Sequence, residues 1–331
     1  MEINYTYRKT PIIVKYLQQL EVLRKVIDLL PQLPHIEENL RRRSFLRSSL
    51  FSARIEGNKL KLEDIDHLNL NRQPDNLAKK EIFNILNSFR KIYAGSIGEK
   101  LSKKLILEFH RRVMDGISPE AGNFRTEPSA IFNQAGVAIY LPPMSQQIPQ
   151  LLNDLISLAS STQESSPANA AVVHFAVEKI HPFIDGNGRV GRLIATFLLK
   201  KDGFDFRGLV SLEKYLDDHR QTYYDLLAIE KKDITPFVEF FLEALSTQAE
   251  IAVDNIKEYT TETPEDLLLP RRGEILAIIK DHGTVSFDFL KRRFVQVPTS
   301  TLHYDLKKLI EGNFIKKLGT TRGVCYCPKE K

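Results

Sequence analysis

Residues 181–192 read HPFIDGNGRVGR and join the end of one helix to the start of another. Pro182 and Gly186 end the first helix just after His181. The turn through Gly186 and Gly188 leads into the second helix, whose free N-terminal N–H groups and dipole attract an anion. The stretch therefore predicts two helices with an anion-binding turn between them.

Four titratable or charged side chains accompany this turn. His181 suits proton transfer near neutral pH, and Asp185 offers the oxygen ligand that Mg²⁺ prefers. Arg189 and Arg192 are three residues apart and share one helix face. These groups describe a nucleotide phosphate site, although the chain has no G-x-x-x-x-G-K-[ST] phosphate loop. A capped helix–turn–helix with surface arginines is the alternative interpretation.

The composition is that of a globular protein with more than one domain. The chain has 331 residues, of which 42% are hydrophobic and 27% charged, and this length suits two or three domains. No apolar run reaches the ~18 residues of a membrane span, and the first ten residues lack the apolar core of a signal peptide. Cys325 and Cys327 are too few for a disulfide framework and are interpreted as reduced packing residues. We therefore expect a cytoplasmic protein.

The basic charge is concentrated at the C-terminal end. The net charge is +5, but residues 271–331 contain 13 Lys and Arg against 6 Asp and Glu, so the remaining residues sum to −2. A compact basic segment indicates a polyanionic partner such as nucleic acid. A solvated charged surface is the alternative.

Apolar residues recur every three or four positions along most of the chain, which predicts a mainly helical protein. One stretch reads as a β-hairpin, with strands at about 130–132 and 137–141, and residues 260–270 read as a polar, proline-bounded linker. The helices are predicted at about 14–29, 44–56, 79–93, 103–114, 145–159, 168–180, 188–201, 211–230 and 235–253.

The twelve-residue stretch resembles the signature of the Fic family (filamentation induced by cAMP), H-x-F-x-[DE]-G-N-G-R-x-x-R, at all eight specified positions. The likeness extends over about residues 100–245. It includes 122–125 (GNFR), 140–143 (YLPP), 220–227 (RQTYYDLL) and 237–242. The resemblance implies a helical Fic core whose only β element is a hairpin called the flap.

This resemblance also implies an activity, the transfer of AMP from ATP to a Ser, Thr or Tyr hydroxyl of a target protein. His181 would be the general base, Asp185 would hold Mg²⁺, and the flap, through Ile131 and Phe132, would pair with the target backbone. Phe183 would anchor the loop. The implied ATP-binding residues are Gly186, Asn187, Gly188, Arg189, Val190, Gly191, Arg192 and Tyr224. Tyr223 and Tyr224 could contribute to the adenine side, but buried helical tyrosines are more often core residues, and that interpretation is favoured here. His174 is interpreted as structural.

Residues 52–57 (SARIEG) match the family's inhibitory motif, [ST]-x-x-x-E-[GN]. Its members here are Ser52, Glu56 and Gly57. A carboxylate at a helix C-terminus is disfavoured by the dipole and needs a cationic partner. The resemblance implies that Arg192 is this partner and that the pair denies Arg192 to the γ-phosphate, which makes the protein autoinhibited. In some relatives the same glutamate supports AMP removal, so a bifunctional enzyme stays open.

Residues 271–331 read as helices at 271–281, 286–294 and 299–311, followed by strands at 314–318 and 323–327. This order resembles a winged helix, a DNA-binding fold that also serves as a protein-interaction or dimerisation module. The outward residues of the third helix, which would contact DNA, are Ser300, His303, Tyr304, Lys307 and Lys308.

Four segments are therefore expected. They are an N-terminal helical region at 1–99 with the inhibitory helix at about 44–57, a Fic core at 100–250, a linker at 251–270 and a winged-helix domain at 271–331. The expected function is an autoinhibited protein adenylyltransferase that uses ATP and Mg²⁺, with homo-oligomers left open. Two alternatives remain: a DNA-binding regulator with a nucleotide-sensing core, and a Fic transferase that uses another nucleotide donor.

Overall fold

The computed structural model describes residues 3–30, 34–65, 73–132, 138–160, 166–260, 268–319 and 324–329. The chain divides into two compact units, one comprising Met1–Leu30 with Arg41–Asp254 and the other comprising Pro31–Leu40 with Asn255–Lys331. Within the described ranges, none of the helices combines the length and the apolar character that crossing a bilayer demands. The four-segment division stays a prediction.

The mainly helical character of the chain is confirmed. Helices α1 to α10 are Pro11–Leu29, Pro34–Ile55, Leu77–Tyr93, Lys103–Val113, Ile148–Ala159, Ser166–Ile180, Asn187–Lys201, Leu212–Asp218, Arg220–Leu227 and Thr235–Thr260. Short 3₁₀ turns are found at Leu62–Asp64, Ser145–Gln147 and Phe206–Gly208. The hairpin strands are β1 (Ile131–Phe132) and β2 (Ala138–Tyr140), which pair antiparallel. The predicted hairpin turn at 133–137 lies outside the described residues.

Helices α6 and α7 form the centre of the first unit. Nearly all residues of both helices are buried, including the charged Arg189 and Arg192 of α7. Helix α5 packs on α6, and α3 and α4 pack on α7. The loop of residues 181–186 therefore leaves and re-enters the most buried part of the unit.

Three predictions about helices were wrong. Helix α10 continues to Thr260 instead of ending at about residue 253, so the first part of the predicted linker at 251–270 is helical. Helix α2 begins at Pro34 instead of about residue 44, because its first ten residues are too polar to show an apolar period. The single helix predicted at 211–230 is two helices, α8 and α9, separated at His219, whose backbone leaves the helical region (φ −114°, ψ 35°). The His219 ring stacks on Tyr215, with the ring centroids 4.1 Å apart.

The second unit contains α11 (Pro270–His282), β3 (Val285–Ser286), α12 (Phe287–Arg293), α13 (Thr299–Glu311), β4 (Ile315–Leu318) and β5 (Cys325–Pro328). The strands form an antiparallel sheet in the order β3–β5–β4. The three helices cover a core that includes Ile275, Ile279, Leu302, Leu306, Leu309 and Tyr326. The sequence did not predict β3, because two residues are too short to show an alternating pattern.

Candidate active site

The loop between α6 and α7 is held in one shape by its own backbone and one amide side chain. The Nδ2 amide of Asn187 donates to the carbonyl of Phe183, and the N–H of Phe183 donates to Oδ1 of Asn187, both at 2.9 Å. The Phe183 ring is fully buried between His110 and Phe124, with ring centroids 3.7 Å and 5.4 Å away. Phe183 therefore anchors the loop in the core.

The start of α7 requires glycine at two positions. Gly186 precedes the helix with φ 84°, in the left-handed region, and a Cβ there would lie 2.9 Å from Sδ of Met114. A Cβ at Gly188 would lie 2.2 Å from Oε1 of Glu56. The carboxylate of Glu56 therefore rests against the first turn of α7, where the sequence predicts an anion-binding site.

Arg192 is 1% exposed and meets the C-terminal end of α2. Its Nε donates to Oγ of Ser52 and its Nη2 to the carbonyl of Ser52, each at 2.9 Å. Nη2 also lies 2.9 Å from Oε1 of Glu56. Burial is the largest single effect and lowers the pKa of Arg192, but the charges of Glu56, Tyr223 and Glu178 and the hydrogen bond to Glu56 together raise that pKa. Gly57, with φ 101°, directs the chain out of the helix after Glu56.

Arg189 is buried and shared by two carboxylates. Its Nη1 lies 2.6 Å from Oε1 of Glu81, and its Nη2 lies 2.7 Å from Oδ1 of Asp185. The Asp185 side chain is 61% exposed, so it is accessible from solvent. In the described ranges no three His, Cys, Asp or Glu side chains group as a metal site. One exposed carboxylate beside an anion-binding turn fits a Mg²⁺ whose remaining ligands are phosphate oxygens and water.

His181 occupies a strained position at the end of α6. Its backbone has φ 47°, which is uncommon outside glycine. Burial lowers the pKa of its imidazole to about 4, against the opposing effects of the Glu178 carbonyl, Glu56 and Asp185. The imidazole is therefore neutral at pH 7, the state in which it can accept a proton.

The side chains of His174, Tyr223 and Glu178 form a buried polar cluster beside α7. Nε2 of His174 is 2.7 Å from the hydroxyl of Tyr223, and Nδ1 is 3.9 Å from Oε1 of Glu178. Burial lowers the pKa of His174 to about 3 and raises that of Glu178 to about 8. His174 and Tyr223 are thus core residues of the unit. The hydroxyl of Tyr224 instead donates to the carbonyl of Ile55 at 2.6 Å, within residues 52–57.

Two predicted nucleotide-site residues face inward. Val190 is fully buried, and a Cβ at Gly191 would lie 2.5 Å from Oε1 of Glu178. In the flap, Ile131 is half-buried and pairs with Tyr140, while the Phe132 side chain lies outside the described residues. The Tyr140 hydroxyl donates to the carbonyl of Lys179 at 2.9 Å, which attaches β2 to the end of α6.

The sequence interpretation assigned no role to several residues that hold this site. Glu81 contacts Arg189. His110 contacts the Asp185 carbonyl through Nε2 at 3.0 Å and accepts the Gly122 N–H through Nδ1 at 2.9 Å. Arg125 contacts the His181 carbonyl. The GNFR stretch at 122–125 was the only signal of these contacts, because the other residues lie on helices with no local mark of function.

The predicted nucleic-acid residues lie on one helix of the second unit. On α13, Ser300, His303, Tyr304 and Lys307 are exposed and Lys308 is half-buried. The His303 ring stacks on Phe287, with the centroids 4.0 Å apart. Arg271 and Arg272 on α11 both pair with the buried Asp305, at 2.5 Å and 2.9 Å.

The loop, the two helices and the flap all lie in one segment of the chain that has known relatives. Residues 100–199 match the sequence profile of the Fic/DOC family. Over 188 residues the chain is 31% identical to "Protein adenylyltransferase Fic" of Drosophila virilis, covering 55% of this chain and 36% of that protein. The protein of the same name from Culex quinquefasciatus is 29% identical over 252 residues, or 71% of this chain and 48% of that protein. The chain spans about a third of the length of the Drosophila relatives.

Solved structures share the fold that contains the Fic segment. A Fic family protein from Desulfovibrio desulfuricans G20 has a TM-score of 0.68 at 24% identity, covering 98% of both chains. Fic-1 (residues 134–508) from C. elegans has a TM-score of 0.61 at 21% identity, covering 76% of this chain and 73% of that one. At these identities the likeness concerns the fold.

Proposed function

We propose that the chain is a protein adenylyltransferase that transfers AMP from ATP to a hydroxyl side chain of a target protein. The observation that carries the proposal is the half-buried, neutral His181 at the entrance to the glycine turn of α7, within a segment that matches the Fic/DOC family. The relatives named as adenylyltransferases support the same chemistry.

In this mechanism His181 accepts the proton of the incoming hydroxyl as its oxygen attacks the α-phosphorus. A new P–O bond forms, the α–β anhydride bond breaks, and pyrophosphate leaves. The N–H groups at the start of α7, with Arg189 and Arg192, bind and orient the phosphates. Asp185 would hold Mg²⁺, which when bound neutralises phosphate charge.

The flap positions the target in this proposal. Strand β1 is two residues long and pairs with β2 through Ile131 and Phe132. An extended target segment that added to this hairpin would be held by backbone hydrogen bonds, with little demand on its side chains. The contact between Tyr140 and the Lys179 carbonyl supports this role, because it keeps the flap beside the helix that ends at His181.

We also propose that α2 inhibits the enzyme. Glu56 engages Arg192 at 2.9 Å and rests against Gly188. A γ-phosphate directed at Arg192 would have to displace this carboxylate, and an anion at the N-terminus of α7 would meet its charge. Charge competition of this kind leaves ATP in an unproductive pose.

The test is transfer of label from α-³²P-ATP with Mg²⁺ to protein. Wild type, Glu56→Gly, and Glu56→Gly combined with His181→Ala are compared, with Glu63→Gly as the matched control because Glu63 is exposed. We expect Glu56→Gly to increase labelling on the order of 10-fold or more, since ~1.4 kcal/mol of lost competition is tenfold. Glu63→Gly should resemble wild type, and the double variant should show no transfer.

Other results of this labelling experiment would indicate a different function for residues 100–250. Binding of ATP without labelling in any variant would contradict the proposal and favour a nucleotide sensor. Labelling from a different nucleotide would retain the transferase and change the donor. Release of AMP from labelled target by wild type, but not by Glu56→Gly, would add the removal reaction.

A second candidate function concerns the second unit, for which we propose a winged helix that binds duplex DNA. The element order α11–β3–α12–α13–β4–β5 and the antiparallel three-stranded sheet support this fold. The exposed face of α13, with Tyr304 and Lys307 53% and 72% exposed, supports the partner. A protein partner or a second copy of the chain is the alternative occupant.

A further inference from the structure

Among the described residues, the guanidinium of Arg125 binds backbone carbonyls and pairs with no carboxylate. The residue is 3% exposed and lies between α4 and the flap. Its Nε donates to the carbonyl of His181 at 2.7 Å, Nη1 to that of Glu127 at 3.0 Å and Nη2 to that of Pro143 at 2.5 Å. Each of these acceptors is a backbone carbonyl, so the guanidinium holds the shape of the chain.

The first of these contacts acts on the proposed base. His181 has φ 47°, and a non-glycine residue persists in this strained region only where the surrounding structure holds it there. The Arg125 side chain binds the carbonyl of His181, and the Arg125 N–H donates to the carbonyl of Pro182 at 3.0 Å. Two successive peptide groups are thereby fixed, and with them the direction of the imidazole.

The other contacts act on the flap. Glu127 precedes β1 and Pro143 follows β2, so the same guanidinium binds both ends of the hairpin. The Tyr140 hydroxyl adds a second attachment at the Lys179 carbonyl. A target strand on the flap would therefore be placed in a constant relation to His181.

We propose that Arg125 is a positioning residue: it holds the His181 backbone and the two ends of the flap together, so that a hydroxyl presented by the flap meets the imidazole. This inference rests on the proposed transferase function. Arg125 contacts neither the phosphates nor the hydroxyl in this assignment. It acts through His181 and the hairpin.

The charge of Arg125 affects the pKa of His181, and this pKa can be measured independently of folding stability. Burial is the largest cause of the low pKa of His181. The Glu178 carbonyl, Glu56 and Asp185 raise that pKa, whereas Arg125 lowers it. Removing the Arg125 charge should therefore raise the His181 pKa, and retaining the charge without the planar fork should leave that pKa low.

The experiment uses the Glu56→Gly chain as parent and compares Arg125→Lys, Arg125→Met and, as control, Arg112→Lys on α4, a half-buried arginine that pairs with Glu108 at 2.6 Å. We expect Arg125→Lys to lower kcat on the order of 100-fold, the effect of a ~1 Å misplacement, with KM for ATP unchanged. Arg112→Lys should match the parent. NMR titration of the His181 ring should show a higher pKa in Arg125→Met and no such rise in Arg125→Lys.

A kcat within twofold of the parent in Arg125→Lys would overturn the proposal, as would a rise in KM for ATP with kcat unchanged. Tyr140→Phe removes one hydroxyl and tests the flap attachment if the arginine variants unfold; it should lower kcat, and full activity would contradict the coupling. If the Glu56→Gly parent transfers nothing, the proposed function fails. The NMR titration, which needs no activity, then decides whether Arg125 acts on His181.

Discussion

At the residue scale, Glu178 is a mostly buried carboxyl group near His174 and Arg192. Burial raises its pKa to about 8 in the folded protein, against an ordinary value near 4.5. The unfolded chain therefore releases this proton at a lower pH than the folded chain does. Between these two pH values the folded state binds more protons than the unfolded state. The contribution of Glu178 to the free energy of unfolding therefore falls as pH rises.

Replacing Glu178 with Gln removes this titration. We expect the stability of Glu178→Gln relative to wild type to increase from pH 4.5 to pH 8, by at most about 5 kcal/mol if the whole shift contributes. Urea unfolding at pH 5 and pH 8 measures the difference. The exposed Glu120→Gln is the control, and an equal stability difference at the two pH values would contradict the prediction.

At the element scale, α7 illustrates how a glycine is required by the neighbouring helix. A Cβ at Gly191 would lie 2.5 Å from Oε1 of Glu178 and 3.0 Å from Nδ1 of His174, both on α6. Helix α11 offers the opposite case, because a Cβ at Gly273 would have no atom within 4 Å. Alanine substitution therefore tests packing at Gly191 and helix propensity at Gly273.

We expect Gly191→Ala to lower the unfolding free energy by about 1–3 kcal/mol through overpacking. Gly273→Ala should raise it by about 0.5–1 kcal/mol, because alanine is the better helix former. Thermal unfolding of the two variants provides the measurement. A stabilised Gly191→Ala would show that Glu178 and His174 move aside without cost.

Other features of these elements follow from local sequence only in part. Helix ends with a cap were predicted closely: Ser102 caps α4 and accepts from the Leu105 N–H at 3.2 Å. The start of α2 was missed because its first residues are polar. The break at His219 was also missed, and the His219 ring there stacks on Tyr215.

At the scale of the whole molecule, the charge is unevenly distributed. Residues 271–331 carry +7 and the rest of the chain −2. If the second unit binds duplex DNA, binding releases counterions, and log K falls linearly with log salt, with a slope of about −0.9 for each phosphate contact. The salt dependence therefore measures the number of phosphate contacts that the second unit makes.

We expect the full chain to bind a fluorescent DNA duplex at low salt and to lose affinity between 50 and 200 mM salt. Lys307→Ala should weaken binding and reduce the salt slope by about 1. Lys104→Ala, an exposed lysine of the first unit, should match wild type. Absence of duplex binding at low salt would contradict the proposal and leave this face to a protein partner.

The sequence by itself determined the helical class, the hairpin and the stretch at 181–192. Its turn glycines, its arginine spacing and its helix start are all local, and local spacing is readable from sequence. The pairing of Glu56 with Arg192 was expected from the family resemblance alone, because the two residues are 136 positions apart.

Only the tertiary structure decided the surroundings of these residues. It brings Glu81 into contact with Arg189, which lies 108 positions away in the sequence. It also brings Arg125 into contact with the carbonyl of His181, 56 positions away. It also buried His181 deeply enough to lower its pKa to about 4. Contacts between distant helices depend on how their faces pack, and burial depends on every element around a site, so neither leaves a mark in the local pattern of residues.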